Sequence, residues 1–361
     1  MLPVLVGLLP VLCFLGALLY LDSYKLVSLR AVVAVVAFGM AVAGASYVVN
    51  VQLLGVFPID FAVFTRYVSP LSEELLKSLV IMALIRAHRI GFLVDAAIAG
   101  FAVGTGFALV ENLYYLTSRP DAAIGIWIVR GFGTAIMHGG ATAIFAVMTL
   151  AFKDVILGTL SSARHPRRSS QGVAIGDPGS DRGSRKQWSG IQFLPGFVLA
   201  VALHSLFNHF FFSPLMSTVG IAILSPLLLN AVFVRSEAAV GEWLGKGFDA
   251  DTEMLDLINS GELSDSPVGR YLHELKAKFE GPVVADLLCY LQLHTELGLR
   301  AKGILMMREC GFDTPVDEPT REKFAELRYL EKSIGRSGLR AIQPMLHVSH
   351  KDLWQLYMLG K

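Results

Sequence analysis

The sequence predicts an all-α polytopic membrane helix bundle of about seven spans, followed by a small cytoplasmic helical C-terminal domain. Three observations carry that expectation. The 361 residues are 53% hydrophobic and only 17% charged, with a mean hydropathy of +0.55, which is too apolar for an ordinary soluble domain of this length. Apolar stretches of about 20 residues, the length that crosses a bilayer, recur as far as Val234. Beyond Arg235 the chain turns polar but keeps apolar residues at helix-face spacing.

The first apolar run, from Leu2 to Leu21, lacks a preceding basic region and a small-residue cleavage site, so it reads as a retained span and not a signal peptide. Ala31 to Val49 forms the second. Phe61 to Ile85 is also apolar but is interrupted by Arg66, Pro70, Glu73, Glu74 and Lys77. Phe92 to Leu116, Ala122 to Phe152, Phe193 to Phe212 and Met216 to Val234 follow. Cytoplasmic loops carry an excess of Lys and Arg, and that bias tests whether the interrupted segment crosses. If it does, Lys25 and Arg30, Arg86 and Arg89, and Lys153 to Lys186 with its arginines all fall on one side, and the other side holds only Arg119. The pattern fits an N-terminus outside and a C-terminus in the cytoplasm.

The expected organisation is therefore a transmembrane bundle over 1–152 and 189–235, a flexible basic cytoplasmic loop over 153–188, and a cytoplasmic helical domain over 236–361. The loop is rich in Gly, Ser, Pro and Arg and has no periodic apolar positions. The C-terminal domain is marked by Tyr271, Leu272, Leu275 and Phe279, and by Val284, Leu287, Leu288 and Leu291. A net charge of +1 with scattered basic residues excludes nucleic acid as an expected partner. Cys13, Cys289 and Cys310 lie far apart without a CxxC pair, which argues against a disulfide framework or a cysteine zinc site.

Ionisable residues inside these spans are the informative ones, because a charge in hydrocarbon costs at least about 2.5 kcal/mol and is usually turned toward a bundle interior. The stretch SPLSEELLK reads as a helix start, with Ser69 as N-cap and Pro70 at the first helical position. Lys77 then follows Glu73 and Glu74 by one turn and reaches both. The next span carries Glu111 and Asn112, the one after it Arg130 and His138, and the sixth His204, Asn208 and His209. At 1.5 Å per residue, Glu73 lies about 20 Å from the cytoplasmic end at Arg86, and Glu111 about 9 Å from the outer end. His204 lies about 13 Å from the outer end and His138 about 22 Å from Lys153. In a layer of about 30 Å all four can meet in the outer half.

Carboxylates, imidazoles and an amide at one depth suit hydrolysis, with a carboxylate activating water and a histidine or asparagine stabilising the oxyanion. Alternatively, two histidines and a glutamate can hold zinc with one open position for water, leaving another glutamate as base. No HExxH motif occurs, and both chemistries stay open on the residues alone. Arg130 is placed to pair with Glu111 or to snorkel to water. Gly100, Gly104 and Gly106, with Gly131, Gly133, Gly139 and Gly140, point to close helix packing around the site.

The ordered set EELLK (Glu73, Glu74, Lys77), FALVE (Phe107, Glu111), His138 and HSLFN (His204, Asn208) resembles the PrsW family of intramembrane proteases over roughly Phe61 to Phe212. That resemblance implies hydrolysis of a peptide bond in a membrane protein or membrane-anchored peptide, in the bacterial inner membrane. In the best-known members the cut falls in a single-span anti-sigma factor and starts an envelope-stress response. Carried onto this chain, the double glutamate supplies the base, with Lys77 positioning it. Glu111, His138 and His204 supply further catalytic or metal-binding groups, and Asn208 the oxyanion donor. The wider group often has histidine where Glu111 stands and arginine where Lys77 stands, which leaves zinc and metal-free mechanisms both in play. A proton- or cation-coupled transporter is the rival reading of intramembrane Glu, His and Lys, although no inverted repeat is evident.

Overall fold

The computed structural model describes residues 2–164, 190–312 and 314–346, so most of the basic loop lies outside the described residues. The elements are α1 (Leu2–Leu21), α2 (Leu29–Val56), α3 (Ser69–Arg86), α4 (Leu93–Ser118), α5 (Ala135–Arg164), α6 (Leu194–His209), α7 (Pro214–Asn259), α8 (Pro267–Leu275), α9 (Gly281–Glu309) and α10 (Glu318–Ile342). Among the described residues there is no strand.

Two site helices are entered through π-helical turns. Phe61–Val63 passes through Phe64–Val68 into α3, and Ile124–Ile128 passes through Val129–Thr134 into α5. The first of these overturns the expected start of α3. Ser69 has helical φ/ψ of −60° and −49°, and the cap is Asp60, whose Oδ1 accepts from the N–H groups of Ala62 and Val63. Helical backbone already runs up to Ser69, so no amide there needs a cap.

Described residues up to Ala238 form one compact unit and those from Ala239 onward a second. In the first, α4 is the central helix. Every residue from Val94 to Ala108 is buried, as expected of a helix apolar on all sides. It packs chiefly on α5 and α2, and glycines bring the backbones together. A Cβ added at Gly104 would stand 2.2 Å from the carbonyl oxygen of His138, and one at Gly100 2.6 Å from that of Thr142.

Five helical stretches are long and apolar enough to cross a membrane: Leu2–Leu21, Leu29–Val56, Leu93–Ser118, Ile124–Phe152 and Pro214–Asn259. The chain is an integral membrane protein. Of the other two expected spans, α6 is a shorter apolar helix of 16 residues and α3 carries the charged residues. α7 does not stop at the polarity change near Arg235 but continues to Asn259. Polarity marks a change of surroundings and does not itself end the hydrogen-bond ladder, and the helix also continues through Pro226.

The second unit has its own core, in which Leu272, Leu287, Leu291, Leu297, Leu327 and Ile342 are buried. Buried Lys302 is neutralised by Asp251 and donates to the Gly247 carbonyl at 3.2 Å. His294 and Glu296 are half-buried, and Glu296 pairs with Lys323.

Candidate active site and metal centre

The sequence places Glu74 and Lys77 one turn apart on α3, and the fold turns both into the bundle, where they are 1% and 0% exposed. Lys77 Nζ donates to Glu74 Oε1 at 2.6 Å and lies 4.4 Å from the centre of the Phe107 ring on α4. The third partner of that ammonium is Nδ1 of His138, at 3.0 Å. An ammonium only donates, so Nδ1 accepts and the His138 proton sits on Nε2, which donates to Glu111 Oε2 at 2.9 Å. The tautomer is thus dictated by its neighbours.

His204 on α6 has the opposite arrangement. Its Nδ1 lies 2.9 Å from Glu74 Oε1, and a carboxylate oxygen accepts there, so the proton is on Nδ1 and Nε2 keeps its lone pair. That Nε2 is 3.8 Å from Glu73 Oε2. The two imidazoles stand at right angles with ring centres 4.7 Å apart.

Glu73 is held from a helix that sequence reasoning did not implicate. Its Oε1 accepts from Ser69 at 2.5 Å and from Asn50 Nδ2 on α2 at 3.3 Å. Asn50 Oδ1 in turn accepts from Ser72 at 2.5 Å. An asparagine in a 28-residue apolar helix, with Gln52 the other side-chain amide there, was the available signal. Arg130 pairs with Glu111, Nη2 to Oε1 at 3.1 Å, and its Nε donates to Asn112 at 2.9 Å, so the pairing alternative of the two weighed above is the one seen.

Asn208 departs from expectation. Its amide nitrogen donates to the Thr65 carbonyl at 3.0 Å, and Ser205 donates to the Arg66 carbonyl at 2.6 Å. These two residues of α6 satisfy carbonyls of the π-helical turn, and no bond joins Asn208 to the glutamates. His209 donates from Nδ1 to the Ser205 carbonyl in its own turn at 2.7 Å and stacks on Phe211, away from the cluster.

The metal-compatible donors that converge among the described residues are Glu73, His138 and His204, one ligand atom of each lying within 4.8 Å of the others. The converging set holds Glu73 where Glu111 was expected, and His138 could join it only through Nδ1, once the Lys77 ammonium leaves that nitrogen. The chemistry of the donors fits a metal. Two imidazoles and a carboxylate are borderline ligands of the kind zinc takes, and a His204 whose Nδ1–H is anchored on Glu74 has the orientation common to metal-bound histidines.

A helical bundle with buried carboxylates, imidazoles and a convergent donor set defines a membrane-embedded hydrolase of the metal-dependent class. The family model described as PrsW family intramembrane metalloprotease matches residues 27–234. That is more than half of the chain, and the chain belongs to this family. It is accordingly an intramembrane peptidase acting on a membrane-embedded substrate in the bilayer, and the transporter reading is set aside. No curated protein and no solved structure matches the chain.

Proposed function

We propose that this peptidase cuts a membrane-anchored polypeptide, a single-span anti-sigma factor being the candidate that family resemblance suggests, and that Glu73, His138 and His204 hold zinc. The observation that carries the proposal is the convergence of those three side chains, from three helices, on one buried point. Zinc bound there would supply Lewis acidity and ease deprotonation of water. The chain's own groups do the rest. Glu74 fixes the His204 ring through Nδ1 and keeps Oε2 without a partner among the described residues, so it is the base that takes a proton from the attacking water. Lys77 offsets the Glu74 charge and, without metal, orients His138 through Nδ1, a nitrogen it would release to the zinc. Glu111, held by Arg130, locks the His138 tautomer, and Asn208 positions α6 on the π-helical turn.

In this proposal the bilayer is a bacterial inner membrane, α3 and α6 both cross it, and the N-terminus is outside. The second unit is then cytoplasmic and is a candidate for holding substrate. The test is cleavage of a panel of single-span membrane proteins by the purified enzyme in lipid, beside Glu74→Gln, with metal measured on the same preparations. Expected are hydrolysis by the unaltered enzyme, loss of at least about a hundredfold in Glu74→Gln, and about one zinc per chain in both. Zinc retained after Glu73→Ala, His138→Ala and His204→Ala would refute the ligand set.

A further inference from the structure

Where α4 gives way to the connection beginning at Arg119, the first unit contains a cavity of about 500 Å³. Its lining includes Tyr115, Arg119, Trp127, Arg130 and Pro214. Three of these leave hydrogen-bond donors without acceptors. Trp127 is 1% exposed and its indole N–H has no partner among the described residues, an unfavourable state for a buried donor. Arg119 is exposed, and its guanidinium makes no ion pair or hydrogen bond among the described residues.

Arg130 is held by Asn112 through Nε at 2.9 Å, by Glu111 at 3.1 Å from Nη2, and by the Tyr115 ring 3.6 Å from its Cζ. A guanidinium has five donor hydrogens, so this clamp fixes its plane and leaves others free. α7 also begins at the cavity margin, at Pro214, and the N-terminal end of a 46-residue helix favours negative charge. Arg119 and Arg130 make the cavity basic, Tyr115, Thr134 and Ser213 add hydroxyls, and its other walls are mostly aromatic and aliphatic. The complement is an anionic, acceptor-rich group carried on an apolar chain.

The cavity is also wired to the reaction site. Arg130 holds Glu111 at 3.1 Å, and Glu111 holds His138 at 2.9 Å, so a group bound at Arg130 is one ion pair from the imidazole of the candidate metal centre.

We propose that this cavity is a substrate subsite that takes an acidic side chain, Asp or Glu, from the polypeptide flanking the bond to be cut. The inference rests on the peptidase reading. A volume of about 500 Å³ admits a carboxylate side chain with its adjoining backbone, and Arg119 and Arg130 would grip the two carboxylate oxygens. The gain is specificity, since a substrate lacking the carboxylate leaves the Arg119 guanidinium without an ion-pair partner in the cavity.

The test is equilibrium binding of synthetic single-span peptides to Glu74→Gln protein in discs of zwitterionic lipid. The peptides carry either Asp or Asn at the flank of the apolar segment nearest the cavity. Expected is roughly tenfold tighter binding of the Asp peptide, loss of that preference in Arg119→Glu, its retention in Arg119→Lys, and a preference for a Lys-flanked peptide in Arg119→Glu. Equal affinity for the Asp and Asn peptides, or a preference that survives Arg119→Glu, would overturn the proposal. So would an Arg119→Glu effect confined to retention of anionic lipid, which would assign the cavity to a phosphate headgroup. Hydrolysis of the same peptides by the unaltered enzyme separates the two readings. Binding preference without hydrolysis keeps the subsite and rejects the peptidase, whereas hydrolysis without preference does the reverse.

Discussion

At the scale of single residues, the pair that most constrains this protein is Lys77 and Glu74, both essentially inaccessible. Burying two charges is offset only while each has its partner, and removing one leaves the other uncompensated at a cost of about 3–5 kcal/mol. Lys77→Met is therefore expected to lower the unfolding temperature sharply and to abolish hydrolysis. Lys77→Met combined with Glu74→Gln should regain most of the stability while hydrolysis stays absent. Thermal unfolding of Lys77→Met, Glu74→Gln and the double variant in detergent, beside cleavage assays, checks this, and a double variant as unstable as Lys77→Met would show that the two residues are not coupled.

Asp22, in the connection between α1 and α2, makes a contrasting case. Burial pushes its carboxyl up from 3.8 to about 6, against the lowering effect of the Val27 and Leu26 amides and of Lys25, with Glu237 adding to the rise. The folded protein then binds this proton more tightly than the unfolded chain, so stability falls as pH rises from about 4 to 6 and stays at the lower level above that window. Two pH units correspond to roughly 3 kcal/mol at most. Asp22→Asn should accordingly raise the unfolding temperature at pH 8 and leave it nearly unchanged below pH 4, and a stabilisation of equal size at both would remove Asp22 from the pH response.

At the scale of elements, glycine sets how closely α4 and α5 approach, and through that where His138 sits. Gly104→Val would drive methyl groups into the His138 carbonyl, which already lies 2.2 Å from where a Cβ would be. Such overpacking costs about 1–3 kcal/mol, and the displaced α5 carries the imidazole with it, so activity should fall further than stability. Gly44→Ala on α2, where a Cβ meets nothing within 4 Å, should be harmless and gain up to about 1 kcal/mol of helix propensity. Cleavage rates and unfolding temperatures of the two variants distinguish local crowding from a general intolerance of glycine replacement.

The same scale shows what the sequence made legible. Glu73, Glu74, Lys77, Glu111, His138 and His204 stood out because an ionisable group in an apolar segment is expensive and so carries information, and helix rise alone placed them near one depth. The Lys77–Glu74 pair within α3 was legible from spacing, but the bonds of His138 and His204 to other helices were not, since they depend on how α3, α5 and α6 rotate against α4. The start of α3 was misread because Ser-Pro has the composition of a cap, and nothing in sequence announces that a π-helical turn already continues the backbone. Asn50 and the docking role of Asn208 escaped for a related reason. An amide in an apolar helix tells that a partner exists, not which one.

At the scale of the whole molecule, the arrangement of spans is open to a direct experiment that uses residues already present. An odd number of crossings puts the termini on opposite faces, and seven crossings require both the short α6 and the charge-bearing α3 to cross. The Lys and Arg bias supports that count, and α3 gains a physical rationale for crossing from the burial of Glu74 and Lys77, which hides its charges from lipid. Cys289 and Cys310 are free and exposed in the second unit, and the third cysteine, Cys13, lies within α1, so Cys13→Ala gives a chain with reporters in that unit alone. In sealed right-side-out vesicles, a membrane-impermeant maleimide should leave this variant unlabelled until the vesicles are opened. Labelling in sealed vesicles would put the second unit outside. The same assay on a variant with one cysteine added at Ser118, at the end of α4, should give the reverse pattern, labelled in sealed vesicles. If Ser118 and Cys289 instead reported the same face, the number of crossings between them would be even. The crossing of α6 would then fail, and with it the depth that brings His204 to the glutamates from within the bilayer.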